Sequence, residues 1–134
     1  MLFRSSLPEE VYAVPGLADD DLQATVRFQN GSSGTITYVT GGHARYPKET
    51  LDAAADGRTA RLDNFREAAV WAGRRRSTTR SRGADKGQGR QVALFAEACR
   101  TGGPMPISLE SLLTTTCATI AVGESLASGK PERP

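Results

Sequence analysis

Lys86 is the side chain in this 134-residue sequence best placed to do chemistry. It lies between a polar, basic stretch and the start of a helical pattern, where an ammonium can reach into a cleft and donate to a ligand. The competing reading is an ordinary solvated lysine. His43, the sole histidine, follows Gly41-Gly42. Without a carboxylate or nucleophile beside it, it makes a poor general base and reads as a surface or ligand-rim residue. One histidine and two cysteines in separate helical patterns do not match the ligand spacing of a zinc finger or ribbon, so no metal site is expected. Cys99 and Cys117 stand beside apolar residues and read as buried free thiols rather than a disulfide scaffold. Asp85-Lys86-Gly87-Gln88-Gly89-Arg90 lacks both a preceding hydrophobic strand and a third glycine, so a dinucleotide fingerprint is not supported. No nucleophile–base pair stands out, and no catalytic or cofactor-binding residue is assigned.

The composition bounds what can surround these residues. With 38% hydrophobic and 24% charged residues, the chain reads as one soluble globular domain over residues 1–134. No stretch approaches the roughly 18 apolar residues of a membrane span, and no apolar signal-peptide core is seen, so the cytoplasm is the default compartment. The net charge of +2 carries little information, but its distribution carries more. Residues 73–90 hold Arg74, Arg75, Arg76, Arg80, Arg82, Lys86 and Arg90 against the single acid Asp85. Almost nothing apolar accompanies them, so the segment is expected to be an exposed, flexible basic loop. No aromatic platform is interleaved with the arginines, which makes a solvated linker a better reading than a nucleic-acid site.

The elements that must position these residues are strands first and helices second. A short strand is expected at Glu10–Val14, then Leu22, Ala24, Val26 and Phe28 alternate with polar residues as a half-buried strand. A turn at Asn30–Gly34 returns the chain into the β-branched run Thr35–Thr40. Asp56-Gly57 suits a two-residue type I′ turn, which would pair Leu51 with Leu62 and Ala53 with Ala60. A further strand is expected from Phe65 to Trp71. Helical spacing then links Val92, Phe95, Ala96 and Cys99, ending at Gly102-Gly103-Pro104. Ser108 is a candidate N-cap for a second helix, whose expected buried stripe is Leu109, Leu112, Leu113, Cys117, Ile120 and Ala121. Residues 130–134 are expected to fray. The fold class is α+β: an open, mainly antiparallel sheet with two C-terminal helices packed on one face. The other sheet face would pack against another domain or another copy of the chain.

Several segments in fixed order resemble the C-terminal domain of the glucose–fructose oxidoreductase / inositol dehydrogenase (Gfo/Idh/MocA) family. They are Asp21 to Tyr38, Pro47-Lys48-Glu49, Leu62-Asp63-Asn64-Phe65-Arg66, Asp85-Lys86-Gly87, Phe95, Pro106-Ile107, and Thr116 to Gly129 with its Glu124-Ser125-Leu126. Together they span nearly all of residues 10–131. The resemblance implies an α/β domain that follows an NAD(P)-binding Rossmann domain, helps form the substrate cleft and commonly mediates oligomerisation. The family's catalytic lysine lies in a Glu-Lys-Pro motif, and its histidine and aspartate lie on a preceding helix; neither motif occurs here. Gln88 and Gln91 stand where relatives often carry histidine and glutamate, so no proton transfer is implied at those positions.

The resemblance implies a substrate-binding and oligomerisation domain of an NAD(P)-dependent dehydrogenase acting on a sugar, sugar nucleotide or cyclitol, inactive in isolation. No cofactor is expected to bind this chain alone; NAD or NADP belongs to the parent enzyme. Lys86, Tyr38, His43 and Arg66 are the residues expected to line the substrate cleft. The expected partners are a Rossmann domain, a sugar-like small molecule and a second copy of the chain, but neither a membrane nor nucleic acid. The alternative is a non-catalytic homodimeric interaction module whose basic loop contacts an anionic partner.

Overall fold

Alternating patterns and glycine turns are translated directly into pairing in the computed structural model, which describes residues 6–134. The strands are β1 (Pro8–Pro15), β2 (Leu22–Phe28), β3 (Ser33–Tyr38), β4 (Thr50–Ala55), β5 (Arg58–Asp63), β6 (Glu67–Ala72) and β7 (Arg75–Arg80). The helices α1 (Gln88–Thr101) and α2 (Leu109–Ser128) follow. All strand pairs are antiparallel and both sheets are open, one ordered β1-β2-β3 and the other β4-β5-β6-β7. The class is α+β, as the order of patterns indicates, with the strands divided between two sheets rather than one. The chain forms two compact units. One holds the described residues up to Gly42 together with Ile107–Pro134, and the other is His43–Pro106.

In the first unit, Ala24 of β2 is buried and Val26 and Phe28 are half-buried, while Thr25 and Arg27 are exposed. β1 contributes Val11 and Ala13 to the same face, and α2 packs along β1 with Ala121 and Ser125 buried. Ser125 ties three parts of the chain together. Its Oγ accepts from the Ala13 amide at 2.9 Å and donates to the Lys130 carbonyl at 2.6 Å. The expected fraying of residues 130–134 is corrected at Glu132, whose amide and carbonyl both pair with Val11 at 2.8 Å. The reason is that the outer edge of β1 offers unpaired backbone groups, and the chain end satisfies two of them.

A second tie closes the loop between β1 and β2. The Asp21 carboxylate accepts from the Thr40 amide and hydroxyl, both at 2.7 Å. These two donors, the amide first, hold its pKa below the ordinary carboxylate value. The Gly16 amide donates to the Asp21 carbonyl at 2.7 Å, and a Cβ on Gly16 would collide with that of Asp21. Only glycine allows so close an approach.

Helix α2 starts as the sequence indicates, with Ser108 Oγ accepting from the Ser111 amide at 3.2 Å. Its buried face is a different one from that expected. Thr114 and Ala118 are half-buried and Ala121 and Ser125 buried, at helical spacing. Leu109, Leu112, Leu113, Cys117 and Ile120 are exposed, and only Ala121 of the expected stripe is buried. The two fully buried positions are small, which lets α2 approach the sheet closely, with Val122 and Leu126 half-buried beside them. Cys99 on α1 is also exposed, so the expectation of two buried thiols is corrected for both. On α1 itself Ala98 is the buried residue, while Val92 and Phe95 are exposed.

In the second unit, Asp56 (φ 49°) and Gly57 (φ 69°) form the left-handed β4–β5 turn, and Leu51 pairs with Leu62 and Ala53 with Ala60, as the sequence indicates. The expected flexible loop over residues 73–90 is corrected. Residues 75–80 form β7, paired with β6, and residues from Gln88 belong to α1. β7 is exposed throughout, but two of its three arginines, Arg76 and Arg80, are matched to one acid across the strand pair. Glu67 accepts from Arg80 at 2.7 Å and from Arg76 at 3.4 Å, and the Arg76 guanidinium lies 5.2 Å from the centre of the Trp71 ring. Those cross-strand contacts give a polar sequence a reason to be a strand.

Candidate functional site

Lys86 sits in a cluster built inside the second unit. Its Nζ lies 2.5 Å from Glu49 Oε1 and 5.5 Å from the centre of the Phe65 ring. Both partners in the ion pair are about half-exposed, so they hold each other without being withdrawn from solvent. Lys86 retains N–H donors beyond the one aimed at Glu49, and the carboxylate retains acceptor positions.

The backbone under the cluster explains its geometry. Asn64 (φ 46°) and Phe65 (φ 54°) are both left-handed, and the Arg66 amide closes the turn onto the Asp63 carbonyl at 2.9 Å. Asparagine tolerates that conformation; a bulky aromatic adopts it only where neighbours hold it there. The neighbours here are identifiable. The Asn64 amide donates to the Glu49 carbonyl at 2.6 Å, the Asp85 amide to the Phe65 carbonyl at 3.2 Å, and the Ser81 amide to the Arg66 carbonyl at 2.9 Å. The Ser81 hydroxyl reaches the Phe65 and Gly83 carbonyls, while the Asp85 carboxylate accepts from the Gly87 amide at 2.9 Å. The segment between β7 and α1 is therefore fastened to the turn between β5 and β6, and Lys86 is carried on that fastening. Because this turn occupies Asn64-Phe65, β6 begins at Glu67, later than the alternation indicated.

Of the residues expected to line a cleft, Lys86 is in this cluster and Arg66 belongs to the same turn with an exposed side chain. His43 lies in the same unit, in a turn where its Nδ1 accepts from the Arg45 amide at 3.2 Å and its carbonyl from the Tyr46 amide at 2.9 Å. Tyr38 ends β3 in the first unit, opposite Leu22, and is exposed. Sequence reasoning missed Glu49 and Phe65 as site residues. Glu49 is 37 positions from Lys86, and no local pattern announces a pair at that distance.

The first unit has a concavity of its own, a groove of about 430 Å³ between the β1–β2 pair and the first half of α2. Leu7, Pro8, Val26 and Phe28 line one side, and Ser111 and Thr114 the other. Glu110 is the sole ionisable residue there, so the groove offers little beyond apolar contact and hydroxyls.

The arrangement of strands and helices matches solved structures. An oxidoreductase from Agrobacterium radiobacter, crystallised with NAD+, L-tartaric acid and magnesium, aligns over 95% of this chain with a TM-score of 0.74 and 15% identity. The aldose-aldose oxidoreductase of Caulobacter crescentus, complexed with glycerol, aligns over 96% with a TM-score of 0.73 and 12% identity. A probable dehydrogenase from Thermotoga maritima aligns over 96% with a TM-score of 0.59 and 15% identity. The chain shares its fold with part of each of these three structures. This chain spans 43%, 42% and 44% of those three chains, less than half of each. No protein-family model and no curated protein matches the sequence.

A nicotinamide dinucleotide does not fit the residues present. Its pyrophosphate is held where a parallel strand runs through a glycine-rich turn into a helix N-terminus. Among the described residues all paired strands are antiparallel, and α1 follows the Ser81–Gly87 loop rather than the end of a strand.

Proposed function

We propose that this chain is the substrate-binding and oligomerisation domain of an NAD(P)-dependent oxidoreductase whose substrate is a sugar, sugar nucleotide or cyclitol. The observation that carries the reading is the Lys86–Glu49 pair beside the Phe65 ring. A cationic donor and an anionic acceptor side by side match two neighbouring hydroxyls of a polyol, one accepting and one donating. The aromatic ring matches the C–H face that such a molecule presents between its hydroxyls. Arg66 and His43 supply further donors in the same unit, and Tyr38 extends the substrate surface in the parent enzyme. Support for the redox setting comes from the structural neighbours, which are oxidoreductases and include one bound to NAD+ and one named for acting on aldoses.

Hydride transfer needs a held nicotinamide and a general acid/base at the carbinol. Neither is assigned to residues of this chain, so it binds and positions while the Rossmann partner supplies the chemistry. Apolar side chains left exposed on the sheets, among them Ile36, Tyr38, Val70 and Trp71, support self-association as the second role. Free cysteines and the lack, among the described residues, of a helix long and apolar enough to cross a membrane are compatible with a cytoplasmic setting.

Calorimetric titration of the purified chain with myo-inositol, D-glucose and a nucleotide sugar tests the reading. Binding in the millimolar range or tighter is expected with at least one, weakened about tenfold by Lys86→Met and by Glu49→Gln. No heat with any of the three, or binding indifferent to both substitutions, contradicts it.

A further inference from the structure

The turn between β2 and β3 carries Asn30-Gly31, a pair in which the main chain can attack a side chain. Closure of an asparagine Cγ onto the nitrogen of the next residue forms a five-membered ring, and glycine places no Cβ over that nitrogen. Gly31 is left-handed (φ 80°), and a Cβ there would meet nothing within 4 Å. Asn30, Gly31 and Ser32 are all exposed, so water and hydroxide reach the turn.

The Asn30 side chain is held in place rather than left free. Its Oδ1 accepts from the Ser32 amide at 3.0 Å and from the Ser32 hydroxyl at 2.7 Å. A main-chain amide only donates, so the carbonyl oxygen, not Nδ2, is the atom that faces Ser32. Two donors on one carbonyl oxygen draw charge from Cγ and stand where negative charge develops when a nucleophile adds to it. The backbone is held as well: the Asn30 amide donates to Ser6 Oγ at 3.1 Å, the Gly31 amide to the Phe28 carbonyl at 2.9 Å, and the Phe28 amide to the Ser32 carbonyl at 2.9 Å. The Gly31–Phe28 bond is a brake, because the proton it holds must be lost before the nitrogen attacks. Asn64, the other asparagine in the sequence, is half-buried and is followed by Phe65, whose side chain crowds the equivalent nitrogen.

We propose that Asn30 is a self-modification site, converted by the chain itself to aspartate and isoaspartate, with Ser32 promoting the step. The Gly31 nitrogen loses its proton to hydroxide and bonds to Asn30 Cγ, while Ser32 holds the Oδ1 oxyanion. The Cγ–Nδ2 bond then breaks, and Nδ2 takes up a proton from water and leaves as ammonia. Water opens the resulting succinimide at either carbonyl. Opening at Cγ gives aspartate with the chain path unchanged; opening at the main-chain carbonyl gives isoaspartate, with one more carbon in the backbone. Water enters, ammonia leaves, and nothing is oxidised or reduced. The turn gains a negative charge, and the isoaspartate form lengthens it between Phe28 and Ser32, whose hydrogen bond closes the turn into the edge strand β3. None of this depends on the sugar-binding reading.

The full chain is incubated for several days at mildly alkaline pH and mapped by mass spectrometry, with the Asn30→Asp chain as standard. The mass gain of an amide-to-acid change is expected in the peptide holding Asn30 and not in that holding Asn64, at a rate that rises with pH. Isoaspartate alone does not decide, since Asp56-Gly57 can form it by losing water; the mass gain does. Ser32→Ala should slow conversion about fivefold, the factor that one hydrogen bond of ordinary net strength supplies. Ser32→Thr keeps the hydroxyl and should restore the rate. The position is exposed, so folding is expected to survive, and circular dichroism verifies it. In urea, where the turn is lost, all three chains should convert at one rate. No conversion at Asn30, equal conversion at Asn64, a folded-state rate that Ser32→Ala leaves unchanged or raises, or a Ser32 effect that persists in urea would overturn the proposal.

Discussion

At the residue scale, Lys86 was legible because a lysine between a polar segment and a helix start has room to reach a ligand. Its partners were not, since Glu49 and Phe65 are brought to it by chain reversals that no short window of sequence encodes. Ser125 shows the same limit. It reads as an ordinary helical serine, yet it is fully buried, and its hydroxyl satisfies both the Ala13 amide and the Lys130 carbonyl. Ser125→Ala leaves two backbone groups without that partner. A loss of about 1–3 kcal/mol is expected by urea denaturation, a larger effect than a helix-surface serine would give. Asp21 sets a pH dependence. Its carboxyl is held below the ordinary value in the folded chain, so the stabilisation it gives is present above the unfolded pKa. It is lost as pH falls through the lower, folded value. Asp21→Asn is expected to lower Tm near neutrality and to flatten the acid limb of a plot of Tm against pH. An acid limb identical in wild type and variant would refute that role for the Thr40 contacts.

At the element scale, the strand patterns carried most of the information. The alternation in β2 and the Asp56-Gly57 turn gave pairing and register, because period two and positive φ are local properties. Two elements escaped. β7 is arginine-, serine- and threonine-rich, and only its contacts with Glu67 and Trp71 show why it pairs. α2 has apolar residues on much of its surface, and hydrophobicity alone favoured the leucine side over the alanine side. Close helix–sheet approach favours the small residues instead. Paired substitutions discriminate the two faces: Ala121→Leu should cost about 1–3 kcal/mol by overpacking against β1, whereas Leu113→Ala should stay within about 0.5 kcal/mol. Equal costs would mean that α2 is turned the other way.

At the scale of the whole molecule, the α+β class and the antiparallel, open sheets followed from strands preceding helices. The division into two units and two sheets did not, because nothing near Gly41-Gly42 in the sequence distinguishes a loop within a sheet from a boundary between units. If recognition belongs to this chain and hydride chemistry to its proposed Rossmann partner, the two should separate in one experiment. That experiment is a 1H–15N correlation spectrum of the labelled chain, titrated first with myo-inositol and D-glucose and then with NADH. Shifts concentrated at Glu49, Phe65, Arg66 and Asp85–Gly87 are expected on adding the polyol, and none of comparable size with NADH. Saturable shifts with NADH, together with an unmoved Lys86 cluster in the presence of the polyols, would contradict that division of labour.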